Sequence, residues 1–190
     1  MPEQLFYGGV PVPYTVSWRG ESRTFIGPCI QTGGRPAICQ DVDRGTGKPA
    51  FGTPHSQRQR EVIRLGLCDL CGLPLKNRTK VSLSHARPHA NGAEGMAIMQ
   101  VEPLLHKECA AISMRHCPSL KRDVRTGAFR VRQVNRYRIQ IAIIAPEFIG
   151  RFVPGYVARS TERIAGHAKV ELLSWKERDV TWLMGECPGE

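Results

Sequence analysis

The chain has 190 residues, 41% hydrophobic and 23% charged, enough to bury one ordinary core or two small ones. Its longest apolar run, residues 139–149, is interrupted by Gln140, Pro146 and Glu147, which excludes a membrane-spanning helix there, and its first residues lack the basic and apolar regions of a secretory signal. A net charge of +10 points to an acidic partner rather than a membrane interior.

Residues 8–26 read as β structure. Val10, Val12, Tyr14, Val16 and Trp18 alternate, Pro11 and Pro13 suit an edge strand, and Gly20-Glu21 turns the chain back into a second strand over Arg23–Ile26. Gly27-Pro28, Gly33-Gly34 and residues 43–48 carry loop chemistry. Cys29 and Cys39 lack paired spacing and read as two buried thiols in preference to a second metal site. Thr53 is placed to cap a helix with Pro54 at its first position, ending at Gly66. On that helix Val62 and Leu65 are expected to pack while Arg58, Arg60 and Arg64 face solvent.

Cys68-Asp69-Leu70-Cys71-Gly72 then forms a knuckle, in which a tight turn aims two sulfurs at one point and glycine relieves the backbone. His106-Lys107-Glu108-Cys109 places a second pair of soft ligands three residues apart, on one side of the first turn of a helix running from Lys107 to His116. Two such pairs satisfy a tetrahedral Zn²⁺ ion, with 34 residues between Cys71 and His106. Cys117 is a rival ligand. On a continuous helix it stands roughly 16 Å beyond His106 along the axis, too far to share one ion. The preferred structural zinc set is therefore Cys68, Cys71, His106 and Cys109, with Cys117 a packed thiol before the helix-stopping Pro118.

Beyond the helix, Phe129–Arg132 and Tyr137–Ile144 read as strands, the latter aligning Tyr137, Ile139, Ile141 and Ile143. Val170–Trp175 is a further strand and Asp179–Met184 a short helix. Between Arg115 and Arg138 eight Lys/Arg face one acid, Asp123, whereas residues 159–190 carry five against six. Basicity concentrated in this way makes Lys121, Arg122, Arg125, Arg130, Arg132, Arg136 and Arg138 the candidate nucleic-acid ligands.

Between the two ligand pairs, Val81-Ser-Leu-Ser-His85-Ala-Arg-Pro88-His89-Ala-Asn91-Gly92 resembles the core of HNH endonucleases, many of which hold that motif inside a treble-clef zinc fold. The resemblance implies His85 as general base beside a second divalent metal. The family's middle Asn falls near Val101 or Glu102 and its last His at Ala110, leaving His89, Asn91 or Glu94 as substitutes. A closer resemblance covers residues 55–185. Glu102-Pro103-Leu-Leu-His106-Lys-Glu-Cys109-Ala110, Cys117-Pro118-Ser-Leu120 and Trp175 through Thr181 are similar to a family of uncharacterised phage and actinobacterial zinc-binding proteins. It implies a zinc site, Cys117-Pro118 within the motif, and no assigned activity.

The expectation is thus an α+β protein: an N-terminal β hairpin and loops (1–52), a central treble-clef-like zinc module (53–120) and a basic, β-rich segment with short helices (121–190), packed as one domain. Its expected role is a cytoplasmic, non-enzymatic accessory factor that binds nucleic acid. The alternatives are a phage factor that binds a host protein, and a divergent HNH-like nuclease using His85.

Overall fold

The computed structural model describes residues 3–92 and 95–185. In chain order the elements are β1 (Phe6–Tyr7), β2 (Val10–Pro11), β3 (Val16–Trp18), β4 (Thr24–Pro28), β5 (Pro36–Gln40), β6 (Pro49–Pro54), α1 (Ser56–Leu65), β7 (Lys80–Ser84), β8 (His89–Ala90), β9 (Met96–Gln100), β10 (Leu105–His106), α2 (Lys107–His116), α3 (Pro118–Arg125), β11 (Arg130–Ile144), α4 (Pro146–Ile149), β12 (Ile164–Arg178) and α5 (Val180–Met184).

The antiparallel pair β11–β12 is the spine. Val131 stands opposite Arg178 at one end and Ile144 opposite Ile164 at the other, and register shifts near Arg136 and Ile143 add bend and twist. β7 and then β10 extend the sheet beyond β11. The other edge of β12 is shared: Ala165 meets Ala37 of β5, which carries β4, while Val170–Leu172 pair with β9. The sheet curls enough for Gln100 of β9 to accept hydrogen bonds from Ser82 (2.6 Å) and Ser84 (3.2 Å) of β7, across the two strands that lie between them in the ladder. Val81, Leu83, Val131, Val170 and Leu172 pack with Ile63 of α1, Ala110, Ala111 and Met114 of α2, and Leu183 of α5.

The segment expected to fold back on itself through Gly20-Glu21 instead divides. β3 pairs with β6 and β4 pairs with β5, while a single helical turn over Arg19–Glu21 separates them. Glu21 explains the divergence. It is fully buried and bound by Arg58 (2.6 and 2.7 Å) and by the Trp18 amide (2.8 Å), so the turn faces inward.

α1 begins later than expected, because Thr53 and Pro54 belong to β6 and His55 is the cap. His55 Nδ1 accepts the Arg58 amide at 3.4 Å while Nε2 donates to the Asp41 carbonyl at 3.0 Å, which selects one neutral tautomer. The burial pattern of α1 also corrects the sequence reading. Arg58 and Arg60 are buried, whereas Leu65 is 61% exposed. Arg58 is drawn in by Glu21 and the Tyr14 and Val16 carbonyls, and Arg60 by β12, whose edge is unpaired between the β5 and β9 contacts. Arg60 donates to the carbonyls of Gly166 (3.0 Å) and Ile38 (2.6 Å). Gln59 donates to the carbonyls of Ala168 and Val101 and accepts the Ala168 amide at 2.9 Å. Helix side chains thus complete the ladder where no strand reaches, and buried backbone groups are satisfied.

Downstream, the two expected strands of the basic segment are one continuous β11, and Pro118 both ends α2 and opens α3 at its first position. Cys29 and Cys39 are buried between β4, β5 and β12 with Ala37 and Ala165.

Candidate metal centre

Three local devices bring the ligands together. α1 ends at Gly66 (φ +63°), and the Leu67 amide returns to the Val62 carbonyl at 2.8 Å, so the helix delivers the chain directly into the knuckle. Within the knuckle the Cys68 amide bonds the Leu73 carbonyl and the Gly72 amide the Cys68 carbonyl, both at 2.8 Å, with Gly72 at φ +68°. Finally, the Asp69 amide bonds Leu104 O at 3.0 Å, and β10 pairs with β7, so the knuckle is tied to the chain that leads into α2. His106 stands at the N-cap of α2 and Cys109 in its first turn.

Cys68, Cys71, His106 and Cys109 converge, with one donor atom from each lying within 4.8 Å of the others. His106 Nδ1 is 3.5 Å from the Cys71 sulfur and 3.7 Å from that of Cys109. Zn–S and Zn–N bonds of ordinary length at a tetrahedral angle give a separation of roughly 3.5 Å, so the cluster has the edge lengths of a metal site. The outer ring of the imidazole is occupied too: Nε2 donates to the Pro74 carbonyl at 2.9 Å, which leaves Nδ1 as the lone-pair donor. The His106 amide points at the Cys68 sulfur at 3.4 Å. Cys68 is buried and Cys71 and Cys109 half-buried.

The titration of the thiols agrees with a cation-binding role. A hydrogen bond from Cys109 outweighs burial and lowers the Cys68 thiol to about 5, while the same bond pushes Cys109 up. Burial raises Cys71. One thiolate thus forms readily among three crowded sulfurs, and a metal ion can replace the remaining protons. The cluster is consistent with a structural zinc site. Cys117 stands outside it, at the C-cap of α2, its amide bonded to the Ser113 carbonyl.

His85 follows β7 directly, on the surface. Its Nε2 is 3.1 Å from Asp123 Oδ2 and its ring meets Phe129 edge-on at 5.3 Å. His89 is exposed in β8, and Asn91 donates to Glu171 at 3.0 Å. Glu94 lies outside the described residues. Ala110 is buried in the core and Glu102 is exposed. Among the described residues, the Cys68–Cys109 cluster is the one group of three or more metal-ligating side chains.

The basic residues separate into two kinds. Leu120 and Val124 turn α3 against the core and leave Lys121, Arg122 and Arg125 exposed. Arg130 and Arg136 are exposed on β11, and none of Lys121, Arg125, Arg130 and Arg136 has an ion-pair partner among the described residues. Arg122 is paired with Asp123, and Arg138 with Glu171. Arg132 is only 1% exposed: it binds Glu177 (2.8 Å), Ser84 Oγ (3.3 Å) and the Ala86 carbonyl (2.9 Å), and is a structural residue rather than a surface cation. The sequence reading did not count Arg87 and Arg178 among the nucleic-acid ligands, yet they line one cleft with Arg130; no spacing signal links these three positions.

Comparison with protein-family models, with curated proteins and with solved structures found no match to this chain. No helix among the described residues is long and apolar enough to cross a membrane.

Proposed function

We propose that the protein is a zinc-stabilised accessory factor that binds nucleic acid through the cationic surface following its metal centre. Cys68, Cys71, His106 and Cys109 hold Zn²⁺ in a treble-clef-like arrangement of knuckle and helix N-terminus, as the resemblance to phage-type zinc proteins also implies. The ion has a structural role: four protein ligands leave no open position for substrate. The observation that carries the functional reading is the amphipathic α3, which packs Leu120 and Val124 inward and presents Lys121, Arg122 and Arg125 outward in a chain of net charge +10. Cations of this kind neutralise phosphates and displace condensed counterions, so affinity falls steeply with salt.

Fluorescence anisotropy of labelled DNA and RNA with the zinc-loaded full chain tests the proposal. Binding at 50 mM salt that weakens sharply by 200 mM is expected. Absence of binding to both nucleic acids at low salt overturns it, and a stoichiometric host protein retained after nuclease treatment would put the protein-binding alternative in its place.

The nuclease reading is favoured by one contact, the Asp123 carboxylate that orients the His85 imidazole. Its signature is plasmid nicking with Mg²⁺ or Mn²⁺ that His85→Ala abolishes while the fold and zinc content persist.

A further inference from the structure

A cleft of ≈ 680 Å³ opens between Arg87-Pro88, the connection from α3 into β11, and the corner where β12 turns into α5. Phe129 and Val131, both buried, form part of its lining together with Pro88 and Val180. Four arginines, Arg87, Arg130, Arg132 and Arg178, and two acids, Glu177 and Asp179, also line it.

Only one of the two carboxylates is neutralised; the other keeps its charge, so four arginines against two acids leave the lining positive by two. Glu177 is bound by Arg132, and Asp179 caps α5 by accepting the Trp182 amide at 2.7 Å. The other guanidinium groups are held differently. Arg87 donates to the Ala128 carbonyl at 2.8 Å, and Arg178 donates to Gln133 Oε1 at 2.7 and 3.0 Å while lying 5.1 Å over the Trp182 ring. Those partners are neutral: they fix the orientation of the planar groups and leave their charge uncompensated. Arg130 is exposed and has no partner among the described residues. A cleft whose lining includes two oriented guanidinium groups and a third arginine facing solvent has the chemistry of a phosphate cradle, since guanidinium forks match phosphate oxygens in pairs.

We infer that this cleft receives the phosphodiester backbone of the bound nucleic acid, with Arg87, Arg130 and Arg178 on the phosphates and α3 flanking the path. The inference rests on the nucleic-acid reading and makes it specific: the decisive cations come from three separated stretches of chain, and Arg132 serves as scaffold.

The test compares full-length, zinc-loaded protein with R87Q/R130Q and with K121Q/R125Q, using one labelled oligonucleotide across a salt series. R87Q/R130Q is expected to weaken binding at least tenfold and to reduce the salt-dependence slope by about 2, one for each lost phosphate contact. Unchanged thermal midpoint and zinc content establish that its fold is intact. Because Arg87 also holds the 128 carbonyl, the single variant R130Q, which breaks no side-chain hydrogen bond or ion pair among the described residues, is measured alongside and is expected to lower the slope by about 1. Wild-type binding with R87Q/R130Q and R130Q unaffected, and the loss confined to K121Q/R125Q, overturns the cleft while sparing the nucleic-acid reading. No wild-type binding at low salt overturns both. A mononucleotide that displaces the oligonucleotide at equal phosphate concentration would also overturn the inference, by showing that the cleft takes a free nucleotide.

Discussion

His106 is gripped at both ring nitrogens: Nε2 donates to the Pro74 carbonyl at 2.9 Å, while Nδ1 sits 3.5 Å from the sulfur of Cys71. The backbone of the knuckle therefore fixes the tautomer of a ligand that arrives from 32 residues further along the chain. A side chain held in this way is pre-oriented to offer Nδ1 to a metal ion.

The first prediction concerns the ligand set. Metal analysis is expected to find one zinc per chain, retained in Cys117→Ser and lost in Cys68→Ser and Cys109→Ser. Chelation of the wild type should lower its thermal midpoint, because the ion joins the knuckle to α2 and its binding free energy adds to folding. Zinc lost from Cys117→Ser would restore Cys117 as a ligand.

The second concerns the buried ion pair of Glu21 and Arg58, side chains at 0% and 7% exposure. Removing one partner leaves an uncompensated buried charge, so Arg58→Met is expected to cost about 3–5 kcal/mol in urea unfolding. The double variant E21Q/R58M should recover part of that loss. An R58M midpoint equal to wild type would show that the pair carries no such weight.

Acid sensitivity follows from the same cluster. Burial lowers His55, aided by the adjacent Arg58 and Arg60 and opposed by Glu21 and by the hydrogen bond to the Asp41 carbonyl. About one pH unit or more above the ordinary imidazole value of about 6.5, the ring is neutral folded or unfolded and makes no difference. Below it the unfolded chain binds a proton that the folded chain resists, so stability falls. For Glu21 burial opposes ionisation, yet hydrogen bonds from Arg58 and the Trp18 amide prevail and hold the carboxyl below its ordinary range. Its contribution is present above the ordinary carboxylate range and is lost as pH falls through the depressed value. Stability should therefore decline in two stages on acidification. His55→Asn keeps an acceptor for the cap and should flatten the slope between pH 7 and 5.5 relative to wild type; identical slopes would remove His55 from the account.

Gln59 supplies both halves of a missing ladder contact at Ala168. Gln59→Ala leaves the Ala168 amide and carbonyl unpaired in the interior, at an expected cost of about 2–3 kcal/mol. Amide exchange gives a local readout: Ala168 should be protected in the wild type and exposed to exchange in the variant. By contrast Leu65→Lys, on the same helix but in solvent, should stay within about 0.5 kcal/mol of wild type.

Much of the Cys/His cluster was legible in one dimension because its chemistry is local. Two residues between Cys68 and Cys71, two between His106 and Cys109, a glycine after the knuckle and a proline after the helix each act over a single turn of chain. The bounds of α2 follow from the same short-range rules, whereas the short C-terminal helix read as starting at Asp179 starts at Val180, with Asp179 as its cap. The arginines were not legible. Arg58, Arg60 and Arg132 have the composition of a surface and the environment of a core, because their partners (Glu21, the 38 and 166 carbonyls, Glu177) lie 22 to 106 residues away. Strand exchange at Gly20-Glu21 escaped the pattern for the same reason: alternation states which side of a strand is apolar, and says nothing of which strand lies beside it.

The sequence by itself thus determined the four Cys/His side chains that converge, the helix whose N-terminus presents two of them and the excess of positive charge. Tertiary structure decided which cations remain available. A buried guanidinium needs carbonyls and carboxylates brought from distant strands, and only the curled sheet, with its unpaired edge on β12, settles which arginines are drawn inward and which are left to face solvent.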